Sequence, residues 1–294
     1  MEEDWTRFLQ FCVNKPLAAG TVRRLWGDLR CALALFDVSL PSSRRLDLLR
    51  QGLGAVTTVP RPAPPAVSVV RLLRAWHSLP SASAVQRRDR ALVLLALLLG
   101  ARPADLLAVG RTDDFLAFDA DVVRLRLFRD KGSRLGGRSA SRWLVLRSDD
   151  NLPIAATLRA ALQDVPRERV RPSVDPAAVF FPFFVRLDRA HFGRALEPTT
   201  ISRVLRRFLA GAGLPPTQAQ AHLVRSFAAS SAYELGLTLR EICLHFRWED
   251  PSTFLRHYFL RGIEQRLDPL PPGPRDGSRV SAAFAAALRR AESS

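Results

Sequence analysis

Lysine is almost missing from this chain of 294 residues. Lys15 and Lys131 are the only two among 44 basic residues, which leaves 42 arginines. Abundant alanine, leucine and proline point to a GC-rich coding sequence, and a lysine kept against that background draws attention. Acids are scarce as well: 28 Asp and Glu leave a formal net charge of +16. Charge of that size steers association with phosphate backbones, so a polyanionic partner is expected. The three cysteines, Cys12, Cys31 and Cys243, are odd in number and lack metal-ligand spacing. Neither a disulfide framework nor a metal site is therefore expected, and a reducing intracellular compartment fits. The longest uncharged apolar run, Ala91 to Leu99, is too short to span a bilayer and reads as a buried core helix. The acidic start, Met-Glu-Glu-Asp-Trp, does not read as a signal peptide. A Gly-rich phosphate loop, a zinc-type Cys/His cluster and a Gly-x-Ser-x-Gly turn are all missing, so those three chemistries lack their residues.

What is present divides by composition. Residues 1–56 read as a small helical domain, with helices over 5–13, 21–36 and around 43–52. The second carries an apolar stripe of Val22, Leu25, Trp26, Leu29, Ala32, Leu33 and Phe36, and its other face holds Arg23, Arg24 and Arg30, placed to lie along DNA. The proline-rich stretch 57–65 reads as a linker, because proline precludes regular helix. Residues 66–268 read as a larger domain. Helices are predicted over 68–78, 86–100, 103–109, 154–163, 198–212, 222–234, 239–246 and 252–260. Alternation of Val123, Leu125 and Leu127 with Arg124 and Arg126 predicts a strand over 121–128, paired with 141–146 and flanked by a third at 115–118. Residues 269–294 form a proline-rich tail ending in an amphipathic helix over 280–290, read either as docking on a neighbouring protomer or as solvent-exposed. The fold class is therefore mostly α with a small antiparallel β-sheet (α+β).

The residues able to carry chemistry are spread along this second domain. Arg102 follows an apolar helix in Leu-Gly-Ala-Arg-Pro-Ala-Asp-Leu, its guanidinium suited to bidentate phosphate binding, with Asp105 one turn on to orient it. Taken alone, this is an ordinary capping or surface ion pair. Lys131 sits in the hairpin loop Asp-Lys-Gly-Ser-Arg. That sequence is ordinary turn chemistry, yet an amine releases a proton to a leaving oxygen where an arginine does so poorly. His222 and Arg225 form His-x-x-Arg on one helix face, a pair common by chance. Trp248 is more often core than donor, although its indole N–H can donate. Tyr258 has the apolar neighbours Phe254, Leu255 and Phe259, as a buried structural phenol would. Tyr233, the other tyrosine, reads as packing.

Taken in order, these elements resemble the tyrosine recombinases, the phage-integrase-like site-specific DNA recombinases. That family carries an arginine with an acid three residues on, a hairpin lysine, His-x-x-Arg, a His or Trp, and a nucleophilic tyrosine. The matching positions are Arg102 with Asp105, Lys131, His222 with Arg225, Trp248, and Tyr258. The wording around them matches too, and the resemblance covers 66–262, with 4–52 similar to a shortened DNA-clamping domain. Trp248 to Tyr258 spans ten positions, one more than is usual there, which puts His257 at the nucleophile's register. Trp-x-x-Pro-Ser-Thr-Phe-Leu-x-x-Tyr most resembles recombinases of eukaryotic mobile elements.

The resemblance implies a recombinase or integrase that cleaves and rejoins DNA through a 3′-phosphotyrosine intermediate, without metal, ATP or any other cofactor. Arg102, Arg225, His222 and Trp248 would serve the phosphate, Lys131 would be the general acid, Tyr258 the nucleophile, and Asp105 a support. Duplex DNA is the implied partner, contacted through Arg23, Arg24, Arg30, Arg134 and Arg203. A homotetramer on DNA, and a monomer or weak oligomer free of it, are implied, with no membrane partner. Its place would be with genomic DNA, in a nucleus or in a nucleoid or cytoplasm according to host. A decayed, domesticated recombinase-like DNA-binding protein is the alternative. The short chain and small N-terminal segment disfavour a type IB topoisomerase, and an RNA-binding helical protein leaves the His222 to Tyr258 pattern unexplained.

Overall fold

In the computed structural model the chain divides into two compact units, Met1–Ala63 and Pro64–Ser294. The structure describes residues 67–127, 143–175, 178–246, 248 and 278–292, together with Arg7 and Phe11. Arg23, Arg24, Arg30, Lys131, Arg134 and Tyr258 lie outside the described residues, as do the helices predicted over 21–36, 43–52 and 252–260.

The described part of the second unit is built around one central helix. Helix α1 (Val69–His77) precedes it, capped by the Ser68 hydroxyl, which accepts from the Arg71 N–H. Its buried stripe is Val69, Leu72, Leu73 and Trp76. Helix α2 (Ala84–Leu99) opens on a reciprocal capping box between Ser83 and Gln86, which satisfies two of the helix's orphan donors. From Ala91 to Leu99 every residue is buried. A helix apolar all round has to be enclosed on every side, and α2 accordingly packs against α1, α3, α4, α5 and α6. These are Pro103–Leu106 (α3), Ile154–Gln163 (α4), Pro198–Gly211 (α5) and Leu223–Glu234 (α6). Each leucine so enclosed contributes about 1.5–3 kcal/mol.

Between α3 and α4 lies a three-stranded antiparallel sheet in the order β1 (Leu116–Asp119), β2 (Val122–Leu125), β3 (Leu144–Arg147). Its register opposes Leu116 to Leu125 and Val123 to Leu146. Val123, Leu125 and Leu146 face the core while Arg124 and Arg147 are exposed, as the alternating pattern requires. A second hairpin, β4 (Ser173–Asp175) with β5 (Ala178–Phe180), has no counterpart in the sequence reading. Nearby Val165, Val170 and Val185 form a small separate core with Phe181, Leu187 and Phe192 against them. Helix α7 (Leu239–Phe246) follows α6, its start fixed by Thr238 and Glu241, which exchange side-chain and backbone bonds.

The last helix, α8 (Ser278–Glu292), corrects an expectation. It does not lie in solvent; it packs on α1, β3 and α6 of its own unit. Val280, Phe284, Ala285, Ala287 and Leu288 are buried there. The Ser281 hydroxyl accepts from the Arg147 N–H at 2.9 Å, Arg74 donates to the Ala291 carbonyl at 2.6 Å, and Arg289 pairs with Asp149 at 2.5 Å. The physical reason is its apolar face, which the unit can bury without a partner.

Candidate active site

The site begins where α2 stops. Gly100 takes a left-handed backbone (φ +51°) and its N–H returns to the Ala96 and Leu97 carbonyls, a termination that glycine makes cheaply. A side chain here would also overlap the Phe246 ring. Two residues on, Pro103 forces its predecessor out of helical geometry, and Arg102 is extended (φ −74°, ψ 158°) as the cap of α3. Arg102 is therefore held at a sharp break between two helices. The Asp105 carboxylate accepts from the Arg102 backbone N–H at 3.0 Å. This bond fixes the main chain of Arg102 at the break between the two helices.

Arg225 is the centre of the site. It lies in the first turn of α6 and is 3% exposed. Its Nη1 donates to the Gly100 carbonyl at 2.6 Å and its Nη2 to the Phe246 carbonyl at 2.5 Å. Its Cζ stands 4.3 Å from the centre of the Trp248 ring, a cation–π contact worth about 2 kcal/mol when desolvated. One planar guanidinium thus ties the end of α2 to the end of α7 and lies on the tryptophan beyond it. The Trp248 backbone N–H donates to the Cys243 carbonyl at 2.9 Å; the residue is 8% exposed and its ring lies 5.7 Å from that of Phe246. Trp248 is a platform for Arg225 as well as a core residue.

Helix α6 starts at Leu223, so His222 is its cap residue and is exposed, whereas Arg225 one turn later is buried. Arg203 is exposed on α5 beside Arg206 and Arg207. Tyr233 is half-buried and packs against the main core, as its sequence neighbours imply. Among the described residues no cluster of three or more His, Cys, Asp or Glu could hold a metal ion, and no helix is long and apolar enough to cross a membrane.

Three contributors were missed by the sequence reading: Gly100, His245 and Phe246. His245 is 3% exposed on the buried face of α7, and its Nε2 donates to the Leu98 carbonyl. Its ring meets Phe246 edge to face at 4.7 Å. The available signal was a histidine on the same face as Ile242, Cys243 and Phe246, since a polar group in such company needs a buried partner.

This arrangement, mostly helical with a three-stranded antiparallel sheet beside a central helix, is the fold of the tyrosine recombinase catalytic domain. In particular, the chain is similar to the Tn1549 transposon integrase in complex with circular-intermediate DNA, with TM-score 0.58 and 15% identity over 89% of this chain and 82% of that one. The same integrase with transposon right-end DNA gives TM-score 0.56 and 15% identity over 87% and 80%. The XerH site-specific recombinase in its post-cleavage complex with difH gives 0.48 and 16% over 70% of this chain, which spans 50% of that chain's length. No family model and no curated protein matches.

Proposed function

We propose that this protein is a site-specific DNA recombinase that breaks and rejoins strands through a phosphotyrosine. The observation that carries the reading is the Arg225 guanidinium. It bonds the main chain two residues before Arg102 and two residues before Trp248, and stacks on Trp248 itself. Three motif segments remote in sequence meet around one cation, in a fold shared with recombinases.

The proposed chemistry follows from charge. Attack by the Tyr258 oxygen on a DNA phosphate forms the Tyr O–P bond and breaks the P–O5′ bond. The phenol proton passes to the His222 imidazole, and the departing 5′-oxygen gains a proton from Lys131. A 3′-phosphotyrosine and a free 5′-hydroxyl result, and attack by a second 5′-hydroxyl reverses the step on a new partner. Bond energy is conserved throughout. Arg102 and Arg225 stabilise charge on the pentacovalent phosphorus from preset positions, a contribution of about 3–4 kcal/mol per donor. Lys131 as general acid supplies on the order of 10²–10⁴-fold. His222, exposed at the mouth of α6, assists proton movement, and Trp248 bonds a non-bridging oxygen through its indole N–H. Asp105 acts through the Arg102 backbone. The recombining assembly would be a homotetramer on duplex DNA, formed from monomers or weak oligomers.

A nicked suicide duplex, which loses the fragment needed for religation, tests this directly. The wild type accumulates a covalent adduct, while Tyr258→Phe binds the same duplex and forms none. Equal adduct in both proteins rules Tyr258 out. A DNA-binding protein descended from a recombinase would instead bind without forming an adduct.

A further inference from the structure

The last four carbonyls of an α-helix have no partner inside it, and α2 ends at the residues that set Arg102. The Ala96 carbonyl is met by the N–H groups of Gly100 and Ala101, and that of Leu97 by Gly100. The Leu98 carbonyl is met from another helix, by His245 Nε2. A carbonyl oxygen only accepts, so Nε2 carries the proton in this bond. Next to His245, the Phe246 ring fills the bare side of Gly100, and the Phe246 carbonyl shares Arg225 with the Gly100 carbonyl. Residues 245 and 246 therefore complete the C-terminal cap of α2 at 98–100, two positions before Arg102 and three before Trp248.

We infer that His245 is a positioning residue for the strand-cleavage reaction. By capping Leu98 it locks the end of α2 to α7, and so fixes the Arg102 main chain, the carbonyls that aim Arg225, and the platform of Trp248 relative to one another. His245 is buried, so it acts through the groups it holds. This inference rests on the recombinase reading for its catalytic consequence, but the lock is a property of the fold alone. Ångström-scale displacement of charge-stabilising groups costs on the order of 10²-fold in rate, and a group that holds them to such tolerance shows itself in rate rather than in affinity.

The test compares His245→Phe, which keeps an aromatic ring and removes the donor, with His245→Gln, which restores an N–H donor. In the first arm, backbone hydrogen exchange over 98–105 is measured in the folded full-length proteins. Exchange there is faster in His245→Phe and returns toward wild type in His245→Gln. In the second arm, adduct formation on the suicide duplex falls by on the order of 10²-fold in His245→Phe at unchanged DNA affinity, and recovers in His245→Gln. Unchanged exchange in His245→Phe overturns the inference whatever the activity. So does faster exchange in both variants alike, which marks a merely structural ring. Wild-type protein that forms no adduct overturns the recombinase reading and leaves the first arm to decide the lock.

Discussion

Arg225 donates to two carbonyls and stacks on a ring, so its replacement separates geometry from charge. Arg225→Met leaves the Gly100 and Phe246 carbonyls buried and bare, a loss of about 2–6 kcal/mol at about 1–3 per group. Arg225→Lys keeps the charge but reaches one carbonyl at most, since an ammonium lacks the planar fork. Chemical denaturation is expected to place it between wild type and Arg225→Met, and adduct formation should be lost in both. Gly100→Ala meets the left-handed backbone and the Phe246 ring together. A loss of about 2–4 kcal/mol is expected from strain and overpacking, read by thermal unfolding; a neutral substitution contradicts the packing described. Asp188 gives a pH prediction. Its carboxylate accepts from Arg186 at 2.8 Å and from His191, which lowers its pKa from 3.8 to about 2. A folded value below the unfolded one means this stabilisation is present above pH ~4 and is lost as pH falls toward 2. Side-chain NMR titration should show a midpoint near 2, and a midpoint near 3.8 denies the pairing.

At the scale of elements, α8 is an integral part of its unit. Phe284 is fully buried in the main core, so Phe284→Ala should destabilise that unit by about 3–5 kcal/mol, the usual range for such a truncation. Guanidinium unfolding of the full chain measures it; an unchanged midpoint returns α8 to the role of an appendage. Most elements were legible beforehand because local signals coincide with the core. The helices predicted over 154–163 and 239–246 coincide with α4 and α7, and the buried run Ala91–Leu99 lies within α2. The β4–β5 hairpin was missed because three-residue strands between prolines carry no alternation to read. The fate of α8 was missed because an amphipathic face announces that it will be covered and never by what. Within the candidate site, Arg102, Arg225 and Trp248 are proposed from motif order. Gly100, His245 and Phe246 could not be named so, since side chain to main chain bonds across 21 to 147 positions leave no spacing in the sequence.

For the whole molecule, a net charge of +16 and a recombinase fold point the same way. Binding to duplex DNA should weaken steeply with salt, log K falling against log[salt] with a slope of about −0.9 per phosphate neutralised. Arg203→Ala, on the exposed face of α5, should make that slope shallower by about 0.9 without touching cleavage of bound DNA. The most direct measurement of the central claim is to isolate the protein–DNA adduct from a suicide duplex, digest it and identify the linked residue and DNA end by mass spectrometry. A 3′-phosphate on Tyr258 and a free 5′-hydroxyl on the released strand are expected. A linkage to His257, to any other residue, or through a 5′-phosphate would contradict that claim.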